Sequence, residues 1–226
     1  VKALKYNGGV AKTDLSVENL NALEKGLPNL LKHVENVTQV FKLPAVVAIN
    51  RFPTDTDAEL NLIKKQCNKL GVNVALSEVW GKGSKGGVKL AEEVLKLTEQ
   101  ESKVEYAYDL DMPIKEKIKA IAKKLYGADD VEFSKKASKE IANFEELGFG
   151  NLPICMAKNQ YSLTDDAKIL GRPIGFNITI RDMTISAGAG FMVALTGDIM
   201  KMPGLPKVPA AETIDVDVNG KIKGLF

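Results

Sequence analysis

The chain has 226 residues, 45% hydrophobic and 27% charged, with 31 Lys and Arg against 29 Asp and Glu. That profile belongs to an ordinary globular protein of one or two domains with a sizeable core; it excludes disorder and a disulfide-built scaffold, and a net charge of +2 lacks the basic surplus of a nucleic-acid binder. No apolar run approaches the roughly 18 residues that span a bilayer, so no membrane role is expected; Cys67 and Cys155, far apart and each in an apolar pattern, read as buried free thiols suited to a reducing cytoplasm.

Residues 1–4 suggest the tail of a strand, and Tyr6-Asn7-Gly8-Gly9-Val10 a glycine-bearing loop, either a plain turn or a place where backbone comes close to a ligand. Pro28 then marks a helix start, after which Leu30, Leu31, Val34, Val37 and Phe41 recur at helical spacing. His33, the only histidine, falls on the polar side of that stripe and reads as solvated; with no second His or Cys near it, it forms no metal-ligand cluster.

Residues 43–50 are nearly all apolar or β-branched, as in a strand buried on both faces. Thr56-Asp57-Ala58-Glu59 is a capping box, and the helix it opens is expected to bury Leu60, Ile63, Cys67 and Leu70 before Gly71 stops it. A second strand follows at 72–79. The helix between is too long for a hairpin, so the strands should be parallel with a right-handed crossover. Phe52 and Trp80 then emerge just past the two carboxyl ends, where open α/β sheets bind ligands. Strand tips one or two places apart stand roughly 5 to 10 Å from each other. The pair is therefore either two core aromatics or the two sides of a sandwich for a flat bicyclic ring such as a pterin, in which each stacked pair adds about 0.5 to 1.5 kcal/mol.

Gly81-Lys82-Gly83-Ser84-Lys85-Gly86-Gly87 leads into a helix with Val88, Ala91, Val94, Leu95 and Thr98 on one side. Free N–H groups, the helix dipole and two lysines make it an anion seat; a flexible solvated loop is the alternative. G-x-x-x-x-G-K-[ST] cannot be laid over it in any register, and Pro53 stands where the Asn-Lys-x-Asp of a GTPase needs an acid.

Two amphipathic helices with solvated lysine faces are predicted at 113–126 and 134–147, stopped by Gly127 and Gly148. Strands follow at 152–158, 176–181 and 191–196, then a hairpin turning through a type I′ Asn219-Gly220 between 214–216 and Ile222. There is no internal repeat. The expected class is α/β: a parallel strand-helix-strand domain carrying the ligand cleft, followed by a smaller α+β domain.

Several separate segments, in order, resemble formate-tetrahydrofolate ligase (10-formyltetrahydrofolate synthetase). Val1-Lys2-Ala3-Leu4-Lys5-Tyr6-Asn7-Gly8-Gly9 is similar to the end of a family signature, and Asn50-Arg51-Phe52-Pro53-Thr54-Asp55-Thr56 and Ser77-Glu78-Val79-Trp80 to its folate-site segments. Phe149-Gly150-Asn151-Leu152-Pro153-Ile154-Cys155-Met156-Ala157-Lys158, Leu170-Gly171-Arg172-Pro173 and the stretch 195–206 resemble later parts of the family, so the likeness covers the whole chain.

The resemblance implies an enzyme of one-carbon metabolism in which formate attacks the γ-phosphate of ATP, with Mg²⁺ and an activating monovalent cation, and N10 of tetrahydrofolate takes the formyl group from formyl phosphate. It puts Phe52 and Trp80 in the place of the aromatic pair that sandwiches the pterin, with Asn50, Pro53 and Glu78 beside them and Lys5, Asn7, Gly8 and Gly9 near the same cleft. The family's P-loop, with its lysine, and its formyl phosphate residues correspond to sequence upstream of Val1. The chain is thus expected to be a carboxyl-terminal portion, inactive without its amino-terminal P-loop domain, or alternatively a non-catalytic pterin-binding or assembly module. The expected division is 1–31 as the tail of the nucleotide-binding domain, 32–126 as the α/β folate domain and 127–226 as the α+β domain, in a homotetramer. Lys82 and Lys85 are a possible seat for the folate glutamate carboxylates; Gln160, Tyr161 and 188–190 are weak adenine candidates.

Overall fold

The computed structural model describes residues 1–197, 199 and 207–224. Much of the stretch 195–206, one of the segments that carries the family resemblance, lies outside them. The chain opens with helix α1 (Lys2–Asn7), not the tail of a strand. Six residues make a marginal helix on propensity alone, so tertiary packing has to supply its stability. Glycine makes that packing close: a Cβ on Gly8 would fall 1.8 Å from the Ala22 carbonyl oxygen, and one on Gly26 1.8 Å from that of Leu4. Both partners belong to the contact with α2 (Leu20–Glu35). That helix starts at Asn19, whose side chain accepts the Ala22 N–H, and carries Pro28 in its interior, not at its start. The proline removes one backbone bond. Burial of Leu23, Leu27 and Val34 along the inner face offsets the loss. A π-turn (Asn36–Val40) extends α2.

Strands β1 (Val46–Asn50) and β2 (Asn73–Ser77) pair in parallel from Val46↔Asn73 to Asn50↔Ser77, with α3 (Asp57–Lys69) between them. The capping box at the start of α3 is present as read, with Thr56 accepting from Glu59 N–H and Glu59 accepting from Thr56 N–H. Leu70, expected inside, lies one residue past the last turn and is exposed. A short α4 (Val79–Lys82) and a 3₁₀ turn (Gly83–Gly87) lead into α5 (Val88–Thr98), on which Val88, Val94 and Leu95 face solvent.

After α6 (Ile114–Ile121) and its π-turn (Ala122–Tyr126) comes β3 (Asp130–Phe133), a strand too short and acidic to stand out in the sequence. Helix α7 (Lys135–Glu146) follows, capped by Ser134, then β4 (Ile154–Ala157), β5 (Asn177–Ser186) and β6 (Phe191–Thr196). These strands form a mixed sheet in the order β3-β5-β6-β4, with the inner pair antiparallel and both outer pairs parallel. Cys155 stands exposed on the edge strand β4; of the two free thiols only Cys67 is buried.

Strands β7 (Asp215–Val216) and β8 (Ile222–Lys223) make the predicted hairpin with a different turn. Gly220 has φ +77° but Asn219 does not share the left-handed region, and Asp217 both accepts from Gly220 N–H at 2.8 Å and donates to Lys221 O at 3.0 Å. This is a type I turn closed by a left-handed glycine, which needs one positive φ where type I′ needs two.

Two apolar cores result. One joins Leu23, Leu27, Ile49, Leu60, Ile63 and Cys67; the other packs α6 and α7 on the four-stranded sheet through Ile114, Ile118, Ile141, Ile178, Ile180 and Met183. Polar straps link them: Arg172 makes a bidentate pair with Glu35 at 2.6 and 2.7 Å, and Lys32 and Asn36 donate to the Lys124 and Leu125 carbonyls at 2.8 Å.

Candidate functional site

The β1–β2 ladder continues one residue past the strands, where Arg51 N–H donates to Ser77 O at 2.9 Å. The next residue is Phe52, at the corner of a tight turn with Pro53 pre-setting the backbone. Phe52 N–H donates to Asp55 Oδ2 at 2.8 Å, and Asp55 N–H returns a bond to Phe52 O at 3.0 Å. On the other side Trp80 rides on α4 and is 68% exposed. The two ring centroids are 6.0 Å apart with planes inclined at 53°. Arg51, Phe52, Pro53, Glu78, Trp80 and Lys82 line a cleft of about 320 Å³ here.

Parallel stacking on both faces of an inserted ring needs about 7 Å, and 6.0 Å at 53° is instead the geometry of a tilted aromatic pair. The rings form a V, with the Trp80 side of it facing solvent. The polar floor is charged: Glu78 lies 2.7 Å from Lys82 Nζ and 3.7 Å from Arg51 Nη1. The Lys82 hydrogen bond, against a smaller desolvation effect, holds the Glu78 carboxyl below its ordinary pKa, with Lys82 and Arg51 charge adding to it.

Of the residues singled out in the sequence, Phe52, Pro53, Glu78 and Trp80 share this cleft, and Asn50 sits at its foot at the end of β1. The α1 residues go elsewhere. Lys5 is fully buried, its Nζ 2.8 Å from Glu59 Oε1 and donating to Val17 O at 2.8 Å. Asn7 donates to Ala3 O at 2.9 Å and accepts Gly171 N–H at 3.0 Å; Gly8 packs on Ala22, and Gly9, at φ +94°, is exposed. Helix α1 sends Lys2 to the site instead, its ammonium 5.4 Å from the Phe52 ring centroid. Nothing in the sequence distinguishes Lys2 from other lysines; Lys82, read from the sequence as part of an anion seat, also reaches the aromatic cleft, and Arg51 joins it at the turn.

Residues 81–87 are wound into α4 and the 3₁₀ turn, with Glu78 N–H donating to Gly86 O at 3.0 Å, so the open flexible loop is not what forms. Beyond the Glu78–Lys82 pair lies a second cleft, about 590 Å³, reached by Lys64, Lys85 and Lys89. Among the described residues these three lysines make no ion pair within 4.0 Å.

His33 is on the exposed side of α2, as read, and borders a cavity of about 200 Å³ with Lys158. Partial burial, then Lys158 and Lys32, hold the imidazole below its usual pKa; burial lowers Lys158 to about 8, with Asp165 opposing. Gln160 and Tyr161 lie beside Tyr6 in another cavity, where Lys12 stands 5.7 and 5.6 Å from the Tyr6 and Tyr161 rings. Among the described residues there is no group of three or more His, Cys, Asp or Glu arranged to hold a metal ion, and no helix long and apolar enough to cross a membrane.

A family model described as formate-tetrahydrofolate ligase matches residues 1–226, the entire chain. The match includes both strand tips and the aromatic pair they carry. The chain belongs to the formate-tetrahydrofolate ligase family.

Proposed function

We propose that this chain carries the ring-binding site of a ligase that joins formate to tetrahydrofolate at the expense of ATP, the pterin lying between Phe52 and Trp80. The observation that carries this reading is the placement of two aromatic rings, 6.0 Å apart, at adjacent parallel strand tips and open to solvent. The rings supply area and stacking. Below them Arg51 and Glu78 offer a donor and an acceptor to the edge of a heterocycle. The cleft across the Glu78–Lys82 pair, where Lys64, Lys85 and Lys89 face Glu92 and Glu93, offers ammonium groups to the carboxylates of the folate tail.

These residues do not fit the ATP–Mg²⁺ half of the reaction. The sequence has no Walker loop, and the described residues include no carboxylate cluster, so no phosphoryl-transfer step is derived from them. On this reading the chain by itself binds the folate and forms no formyl phosphate. What its residues do is hold the acceptor ring, exclude water from its faces and leave N10 presented to an activated formyl group.

Trp80 is the only tryptophan, so its emission reports directly on the slot. Titration with tetrahydrofolate should change that emission, and Phe52→Ala should weaken binding by about 1 to 3 kcal/mol, the loss of a stacking partner and its buried area. Charge reversal at Lys82 and Lys85 should weaken tetrahydrofolate more than a tetrahydropterin lacking the glutamate. Unchanged emission together with unchanged affinity in Phe52→Ala would falsify the ring assignment.

A further inference from the structure

Phe52 is held in place from behind. Both polar groups of its backbone are bonded to Asp55, at 2.8 and 3.0 Å, and Pro53 stiffens the turn between them. Asp55 is 5% exposed and is not among the residues lining the aromatic cleft. It also does no work for the helix that follows, since Thr56 and Glu59 make the capping box of α3 by themselves. Among the described residues the one hydrogen bond its carboxylate accepts is the Phe52 N–H, and the buried Oδ1 has no partner there. A half-partnered buried carboxylate is a costly way to close a turn. Behind it, Glu59 is anchored by Lys5 at 2.8 Å and by Asn19 N–H at 3.2 Å, which fixes the start of α3 against α1 and α2.

We propose that Asp55 is a positioning residue for ring binding: it sets the Phe52 wall of the slot through the backbone and does not touch the ligand. The proposal rests on the reading of Phe52 and Trp80 as the ring slot. Ring position matters because stacking depends on the separation and offset of the two ring planes. With the Asp55 carboxylate gone, the Phe52 N–H loses its acceptor and only the Asp55 N–H bond to Phe52 O still ties the turn, while the cap of α3 stays intact.

The test uses the active ligase with Asp55→Ala, Asp55→Asn, Phe52→Ala and the Asp55→Ala/Phe52→Ala pair. Asp55→Ala should raise the dissociation constant and KM for tetrahydrofolate by about tenfold or more, with kcat at saturating folate little changed. Asp55→Asn keeps an acceptor for Phe52 N–H and should stay within about threefold of the parent. In the Phe52→Ala background the Asp55→Ala change should add less than about twofold, because the wall it sets is gone. An Asp55→Ala protein that binds normally, or one whose full loss persists without Phe52, overturns the proposal. So does an Asp55→Asn variant as damaged as Asp55→Ala, which would put the carboxylate charge in direct contact with the ligand. If Asp55→Ala does not fold, Asp55→Glu, which displaces the acceptor by one methylene, takes its place with the same expectations. Phe52→Ala without effect brings down the ring slot and this proposal together; Phe52→Ala weakened beside a normal Asp55→Ala brings down only the second.

Discussion

The two walls of the aromatic slot stand on unlike foundations. Phe52 is the end of a chain of fixed contacts: the β1–β2 ladder through Arg51, two bonds to Asp55, the capping box of α3, and beneath it the Lys5–Glu59 pair with both side chains fully buried. Trp80 rides on a four-residue helix that buries no residue, has no side-chain cap, and is followed by Gly83 at φ +57°. One wall is tied into the core and the other stands on a short surface helix. In the proposed pterin slot the anchored wall would fix where the ring sits and the exposed wall would supply its second face.

The largest effect should come from the deepest layer of the anchored wall. Lys5→Met leaves Glu59 charged and buried without its partner, which should cost about 3 to 5 kcal/mol of stability in urea unfolding. Adding Glu59→Leu removes the stranded charge and should recover a substantial part of that loss. A single substitution costing no more than an exposed ion pair would show that the pair anchors nothing.

A smaller effect separates the walls directly. Phe52 is half-buried, so Phe52→Ala should lower stability by about 1 to 2 kcal/mol. Trp80→Ala, at a site 68% exposed, should change it by less than about 0.5 kcal/mol while still weakening tetrahydrofolate binding. Equal stability losses in unfolding curves would erase the distinction between an anchored wall and an exposed one.

How much of this the sequence revealed depended on the range of the interaction involved. The strand-helix-strand unit was legible because its signals are local: an apolar run, a capping box at 56–59, a stop at Gly71. From these the meeting of Phe52 with Trp80 followed. Helix α1 reads as the tail of a strand because its stability is not local; it depends on Gly8 and Gly26 letting backbone lie against the backbone of Ala22 and Leu4, well beyond one helical turn in the chain. The resemblance alone puts Lys5 near the cleft, and nothing nearby in sequence points to its pairing with Glu59. Strand β3 escaped because four residues carry too little alternation, and the turn at 217–221 because Asn-Gly fits two turn types that differ in the φ of one residue. Lys2 reaches Phe52 only through the packing of α1.

Acidification offers the finest probe of the anchored wall. Burial raises the Glu59 carboxyl pKa, but hydrogen bonds from Lys5, Thr56 and Asn19 and the Lys5 charge outweigh it, so the folded value lies below the ordinary 4.5. For a carboxyl whose folded pKa is depressed, the stabilisation is fully present above the unfolded pKa and is lost as pH falls through the folded one. Glu59→Gln lacks this ionisation at every pH and leaves Lys5 without its charged partner. The stability gap between parent and Glu59→Gln should therefore hold steady near neutral pH and narrow below about pH 4.5, where the parent begins to protonate the same position. Glu78, partly exposed on the other side of the slot and paired with Lys82 at the surface, gives Glu78→Gln a much smaller gap to close, because water screens the pair it breaks. A gap for Glu59 that stays constant from pH 6 to 3 would mean that its charge is not what secures the Phe52 side, and the contrast between the two walls would rest on backbone bonds alone.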